Sequence, residues 1–100
     1  MLIPSNLQGI LWSKSVEKLD LREDRIYIIN QILAFGTLAH LKWLFKTYKL
    51  AEIVEVFTKH PLKIYQKSTF NFVKNILLSL EGQVRQEKYV STLPRNIRQN

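Results

Sequence analysis

Apolar residues recur every three or four positions over four stretches of the chain, which is the spacing that places them on one side of an α-helix. The clearest stretch carries Leu38, Leu41, Leu44, Phe45 and Tyr48. Gly36 favours the left-handed backbone conformation that ends a preceding helix, and the Thr37 hydroxyl can cap the next one. The pattern therefore predicts a helix over residues 38–49.

Three further helices are predicted from the same periodicity and from their end signals. The first covers residues 21–35, after a capping-box variant in which Asp20 and Glu23 satisfy each other's amides. The third covers residues 50–59, because Pro61 pushes the preceding residue out of the helical region. The fourth covers residues 68–81, with Ser68 as N-cap. The predicted core includes Phe35 on the first helix, Leu38 and the four apolar residues named with it on the second, and Ile53, Val56 and Phe57 on the third. On the fourth helix it includes Phe70, Val73, Ile76, Leu77 and Leu80, with Leu78 outside it.

The two ends of the chain differ from this middle part. Residues 1–15 place Pro4 and Gly9 between short apolar runs, which suggests an extended arm that carries Trp12; the favoured alternative is an apolar lid on the bundle, since exposing apolar surface costs free energy. Residues 83–100 are rich in Gln, Asn, Arg and Lys. We therefore predict an all-α fold with a compact four-helix domain at 16–82, an extended N-terminal arm and a basic C-terminal tail.

The distribution of charge along the chain indicates which kind of partner it binds. The formal net charge is +7, and it is uneven: residues 1–58 hold seven basic and six acidic residues, which gives +1, whereas residues 59–100 hold eight and two, which gives +6. A basic C-terminal part favours an anionic partner, either nucleic acid, an acidic protein face or an anionic membrane surface; the alternative is solubility alone. The absence of cysteine, of a positively charged leader and of a long apolar run predicts a cytoplasmic chain without disulfides, signal peptide or membrane-spanning helix.

No catalytic constellation is visible in the sequence. His40 falls on the second predicted helix and His60 directly follows the third, without acidic or cysteine partners at a metal-binding spacing. Glu52 and Glu55 fall on the polar side of the third helix, and three scattered glycines cannot form a phosphate loop. We therefore predict a protein that is not an enzyme and that carries neither metal nor cofactor.

Direct DNA binding is the alternative function. The third and fourth helices would form a helix-turn-helix, with the fourth as reader. Its candidate DNA contacts are Lys63, Lys67 and Lys74 near phosphates, and Asn71 and Asn75 on the outer face. Against this, the connector between the third and fourth helices, residues 61–67, is long for that motif, and the fourth helix is poor in arginine.

A protein partner accounts for more features, because several apolar groups are not required by the four-helix core. Trp43 falls opposite the core face of its helix, and tryptophan, tyrosine and arginine are the usual anchors of interfaces. The candidate partner-binding residues are Trp12, Lys42, Trp43, Lys46, Arg85, Lys88, Tyr89, Arg95 and Arg98. The alternative is that the arm, Trp43 and the tail pack on one another.

A series of short motifs carries a resemblance to a known family. They are ILW at 10–12, EKLD at 17–20, YII at 27–29, FG at 35–36, LKWL at 41–44, IVEV at 53–56 and KSTFNF at 67–72. Over residues 10–80 their order resembles a family of small bacterial helical proteins that are often encoded beside nucleotidyltransferase-like toxins of the AbiEii abortive-infection type. The resemblance implies an antitoxin-like protein that binds and neutralises such a toxin, and the chain departs from the family pattern at Lys14 and Val73.

Overall fold

The computed structural model describes residues 3–12, 14–80 and 84–90. Across these residues the fold is all-α, as predicted, with four α-helices, short 3-10 helices and no strand. The chain divides into two compact units, residues 1–60 and residues 61–100, which are described separately below. This division falls inside the segment 16–82 that the sequence treats as one domain. Within the described ranges, every helix is too short or too polar to cross a membrane.

The N-terminal segment of the first unit packs into its core. It forms the 3-10 helix Ser5–Leu7. Its apolar residues Leu7, Ile10 and Leu11 are buried. The buried side chain of Gln31 donates a hydrogen bond from Nε2 to the Ile10 carbonyl at 2.8 Å. The segment is therefore a folded apolar lid, and the expected extended arm is wrong.

The first helix, α1 (Arg25–Phe35), begins four residues later than predicted. The predicted capping residues instead close a turn before it. The Asp20 carboxylate accepts the amides of Arg22 at 2.7 Å and Glu23 at 2.9 Å. These hydrogen bonds hold the pKa of the Asp20 carboxyl below its usual value. The return contact predicted for Glu23 is made by Asp24, whose Oδ2 accepts the Asp20 amide at 2.8 Å.

Gly36 ends α1, although its backbone is extended (φ −76°, ψ 157°) and not left-handed as expected. Its amide donates to the Ile32 carbonyl at 2.8 Å. A Cβ at this position would lie 2.6 Å from that same carbonyl oxygen. Glycine is therefore needed for close approach and not for an unusual φ.

The second helix, α2 (Leu38–Thr47), is two residues shorter than predicted and starts at the predicted cap. The Thr37 hydroxyl accepts the His40 amide at 3.4 Å, and His40 Nδ1 accepts the Thr37 amide at 3.0 Å. The Thr37 cap is thus confirmed, and His40 completes it as the third helical residue. Leu38 is exposed, contrary to prediction, because a side chain in the first turn projects beyond the packed part of the helix.

The third helix, α3 (Leu50–Lys59), has the bounds that the sequence predicted. It stops at His60, before Pro61, for the steric reason given above. The buried Asn30 side chain of α1 donates from Nδ2 to the His60 carbonyl at 3.1 Å, which satisfies a helix-terminal acceptor. The predicted inward residues of α3 are buried: Ile53, Val56 and Phe57.

The second unit contains a short helix, α4 (Lys67–Asn71), which continues as the π-helix Phe72–Leu77. The predicted regular helix from Ser68 is therefore wrong in both type and start, since its N-cap residue is Gln66. The π-helix ends before Ser79, whose φ is 50°. The predicted end of this helix, at residue 81, lies outside the described residues.

The π-helix also changes which side chains are buried. In this register the Leu78 amide donates to the Val73 carbonyl, five residues back, at 2.9 Å. Leu78 is buried together with Val73, whereas Ile76 is 68 % exposed. The prediction of Ile76 inside and Leu78 outside was wrong because it assumed 3.6 residues per turn.

The first part of the predicted tail is folded. Residues 84–90 include the 3-10 helix Gln86–Lys88. The Tyr65 amide donates to the Tyr89 carbonyl at 3.0 Å, next to an isolated parallel bridge between Tyr65 and Val90. This pairing ties the segment to the connector before α4. Residues 91–100 lie outside the described residues.

Candidate partner-binding surface

Three large apolar side chains lie exposed at the junction of α1 and α2. Trp12 is 59 % exposed, Phe35 42 % and Leu38 71 %. The rings of Trp12 and Phe35 are in contact, with centroids 5.3 Å apart and planes tilted by 54°. Phe35 is the last residue of α1 and Leu38 the first of α2. We call these three residues the apolar patch.

The sequence indicated only one member of this patch. Trp12 was a candidate anchor, whereas Phe35 and Leu38 were assigned to the core by helical periodicity. The buried face of α1 is formed by its middle turns, at Ile28, Ile29, Ile32 and Leu33. Phe35 and Leu38 occupy helix ends, where periodicity gives a direction but not the extent of the covering layer. No signal in the sequence alone would have moved them to the surface.

The other candidate partner-binding residues on α2 differ in their exposure to solvent. Lys42 and Lys46 are exposed. Trp43 is half-buried, although it falls opposite the core face of its helix. The Trp43 carbonyl accepts a hydrogen bond from the Thr47 hydroxyl at 2.8 Å. Trp43 therefore offers less free apolar surface than Trp12 does.

The candidates in the second unit divide into exposed cations and a buried ring. Arg85 and Lys88 are exposed, and Arg85 Nε pairs with the Glu87 carboxylate at 3.1 Å. Tyr89 is only 1 % exposed. Its ring lies 5.8 Å from Tyr65 and 4.9 Å from Phe70 between centroids, so it is a core residue of this unit and not an exposed anchor. Burial raises the pKa of the Tyr89 hydroxyl to about 12.

The remaining tail candidates, Arg95 and Arg98, lie outside the described residues. Of the predicted partner-binding residues, the described part of the chain thus leaves five exposed: Trp12, Lys42, Lys46, Arg85 and Lys88.

The candidate DNA contacts lie in the second unit. Lys63, Lys67 and Asn75 are exposed, while Asn71 and Lys74 are partly buried. The Lys74 ammonium lies 5.7 Å from the centroid of the Phe70 ring, a cation–π contact. The expected reader helix is a five-residue α-helix followed by π turns, which alters the spacing on which the DNA prediction rests. The helix-turn-helix itself stays a prediction.

The polar clusters of the first unit have structural roles. Arg22 pairs with Glu52 at 2.8 Å and lies over the Tyr48 ring at 5.6 Å, which ties the turn before α1 to α3. The Tyr48 hydroxyl donates to the Leu21 carbonyl at 2.8 Å. Within residues 3–12, 14–80 and 84–90, no three His, Cys, Asp or Glu side chains are grouped so that they could hold a metal ion. In the first unit, Trp12, Phe35 and Leu38 offer an exposed apolar surface for contact, and Lys42 and Lys46 offer exposed cations.

Fold and surface together define a small all-α protein whose first unit carries an exposed apolar patch. A model of a family of unknown function, DUF6922, matches residues 7–57. The match covers half of the chain, so the chain belongs to this family. It spans the whole apolar patch and α2. Searches of curated proteins and of solved structures found no match to this chain.

Proposed function

We propose that this protein is an antitoxin-like binding protein of the cytoplasm, which holds and neutralises a nucleotidyltransferase-type toxin and catalyses no reaction itself. The observation that carries the proposal is the apolar patch, where Trp12, Phe35 and Leu38 are all exposed. Exposed apolar groups beside charged residues commonly mark protein-binding sites, and tryptophan is a frequent hot-spot residue. The resemblance to proteins encoded beside AbiEii-type toxins supports the choice of partner.

Charge supports the same partner class. Nucleotidyltransferases hold divalent metal ions on clustered carboxylates, and these metal ions bind the nucleotide phosphates, so the clefts carry a cluster of acidic side chains. A chain with a net charge of +7 is electrostatically complementary to such a cleft. In this proposal the patch anchors the complex, and the basic C-terminal tail, which includes Arg85 and Lys88, occupies the acidic cleft and blocks the path of the nucleic-acid substrate.

The direct test is co-expression with a nucleotidyltransferase encoded beside this protein in its host. The enzyme is expressed from an inducible promoter with and without the protein, and growth and co-purification are followed. The expected result is growth arrest that the protein relieves, together with a stoichiometric complex in size-exclusion chromatography with nuclease added. An enzyme that is toxic but neither bound nor relieved would refute the proposal.

The anchor role of the patch is tested by Trp12→Ala. We expect this change to weaken toxin binding by more than about 2 kcal/mol, the size of a hot-spot contribution, with little loss of thermal stability because the indole is mostly exposed. Leu50→Ala is the matched control, since Leu50 is an exposed apolar residue (55 %) at the start of α3. Isothermal titration calorimetry measures the toxin affinity of both variants. Equal affinities of the two variants would remove Trp12 from the interface.

Trp43→Ala separates packing from binding at the second tryptophan. Because Trp43 is half-buried, we expect its loss to lower the melting temperature more than Trp12→Ala does, with a smaller effect on affinity. A larger loss of affinity than that of Trp12→Ala, at unchanged melting temperature, would instead make Trp43 the principal anchor.

A further inference from the structure

The exposed side of α2 continues the apolar patch as a row of cations. Lys42 follows Leu38 by four residues and Lys46 follows by four more, so the three side chains share one face of the helix. At the helical rise, the row from Leu38 to Lys46 is about 12 Å long. Both lysines are exposed. We call them the lysine row.

The positive charge of the lysine row is not neutralised within the first unit. The sequence contains no Asp or Glu between Asp24 and Glu52. No ion pair formed among the described residues includes Lys42 or Lys46. Exposed, unpaired ammonium groups that adjoin an apolar patch are complementary to a surface with both carboxylates and a large apolar side chain.

We infer that the partner contacts this surface with an acidic amphipathic helix. One large apolar side chain of that helix packs on the Trp12–Phe35 pair and Leu38, and carboxylates about one and two turns further along it pair with Lys42 and Lys46. The turn spacing of the lysine row matches that of a partner helix lying along α2. This inference deepens the proposed function and rests on it for the biological role of the contact.

Charge and shape select this occupant over two others. A second copy of the chain would place the same surface against itself across a twofold axis and bring the lysine rows of both copies together. Like charges in an interface are unfavourable. Single-stranded nucleic acid prefers aromatic faces for stacking, whereas Leu38 has none and the Trp12 and Phe35 rings are tilted against each other.

The experiment uses the full-length protein and a synthetic helical peptide with leucine at position i, glutamates one and two turns further along the same face at i+4 and i+8, and alanine and glutamine elsewhere. A second peptide carries lysine in place of every glutamate. Binding is followed by amide and indole chemical shifts in NMR. We expect the acidic peptide to bind, with the largest shifts at the Trp12 indole and on α2, and the basic peptide to bind at least tenfold more weakly.

Charge reversal locates the contact. The double variant Lys42→Glu/Lys46→Glu should weaken the acidic peptide at least tenfold and strengthen the basic one. Its matched control is Lys18→Glu/Lys59→Glu, which reverses two exposed lysines elsewhere in the first unit and should change neither affinity more than twofold. Circular dichroism and melting temperature verify that both variants fold. Equal behaviour of the two variants would overturn the inference.

Two further probes address other occupants. Vesicles containing phosphatidylglycerol, or a single-stranded oligonucleotide, that produced the same shifts more strongly than the acidic peptide would overturn the inference in favour of a membrane or nucleic acid. A concentration-dependent dimer that masked these shifts would overturn it in favour of self-association. No binding of the acidic peptide at millimolar concentration would also overturn it.

The outcome is distinguishable from failure of the proposed function. If the neighbouring nucleotidyltransferase binds but Lys42→Glu/Lys46→Glu binds it as well as the wild type does, the inference fails and the proposed function stands. If that enzyme does not bind while the acidic peptide binds with the expected shifts, the proposed function fails and the surface retains its assigned chemistry.

Discussion

Buried polar side chains fix the backbone of the first unit at two positions that hydrophobic periodicity cannot reveal. Asn30 and Gln31 are both buried on α1. Gln31 donates to the Ile10 carbonyl, and Asn30 donates to the carbonyls of Ile26 and His60. Gln31 thereby satisfies a buried backbone acceptor, which would be unfavourable by about 1–3 kcal/mol if it were left unpaired. The lid that ends at Trp12 is held to α1 partly by this chemistry.

Gly36 gives a residue-scale prediction. Gly36→Ala places a Cβ 2.6 Å from the Ile32 carbonyl oxygen, so the α1–α2 junction must shift. We expect a loss of about 1–3 kcal/mol in the free energy of unfolding, typical of a steric conflict in packed structure. Gly9→Ala is the control, because a Cβ at Gly9 meets nothing within 4 Å. Urea unfolding measures both, and a Gly36→Ala variant as stable as Gly9→Ala would contradict the close approach.

The ends of helices give an element-scale prediction, since sequence and structure agree at one cap and disagree at another. Thr37→Ala should destabilise the protein by about 1 kcal/mol, because the Thr37 hydroxyl caps α2. Ser68→Ala should change stability by less than about 0.5 kcal/mol, since Ser68 lies inside α4 and the N-cap position is Gln66. Thermal and urea unfolding of the two variants decide the matter. A greater loss of stability for Ser68→Ala than for Thr37→Ala would instead support the predicted regular helix with Ser68 as its N-cap.

The elements that the sequence predicted best are those whose ends are set by local chemistry. Both bounds of α3 agree with the prediction, and its C-terminal bound is set by Pro61. The cap of α2 was predicted for the same kind of reason. The π-helix was not, because its i+5 hydrogen bonds leave no mark in a pattern read with a period of 3.6. The exposed end positions Phe35 and Leu38 were missed because exposure at a helix end depends on tertiary packing.

At the scale of the whole molecule, the family match and the proposed binding surface fall in the same unit. Residues 7–57 lie within the first unit and contain the apolar patch and the lysine row. Most of the basic excess lies instead in residues 59–100. The sequence predicted this division of charge directly, because it requires only counting. It did not predict which apolar groups adjoin the lysines, because that depends on how the chain turns at Gly36.

Tyrosine burial predicts how both units respond to alkaline pH. Burial raises the pKa values of Tyr48, in the first unit, and Tyr89, in the second, from 10.0 to about 12, and it holds the pKa of Tyr65 well above 10.0. The folded state therefore favours the neutral phenol. Stability from these groups is fully present below about pH 10, the value for an unfolded tyrosine, and is lost as the pH rises from about 10 towards 12.

We accordingly expect the free energy of unfolding to fall steeply over this window, and the tyrosinate absorbance of Tyr48, Tyr65 and Tyr89 to rise together with unfolding and not before it. Tyr48→Phe should be less stable near neutral pH by about 1 kcal/mol, because it loses the hydrogen bond to the Leu21 carbonyl. It should also lose less stability than the wild type between about pH 10 and 12, since one of the ionising groups is gone. Urea unfolding across the window, with circular dichroism and tyrosinate absorbance read on the same samples, measures both effects. Native protein whose tyrosines all ionised near their ordinary pKa, with helicity intact, would contradict the burial of these phenols and the packing derived from it in both units.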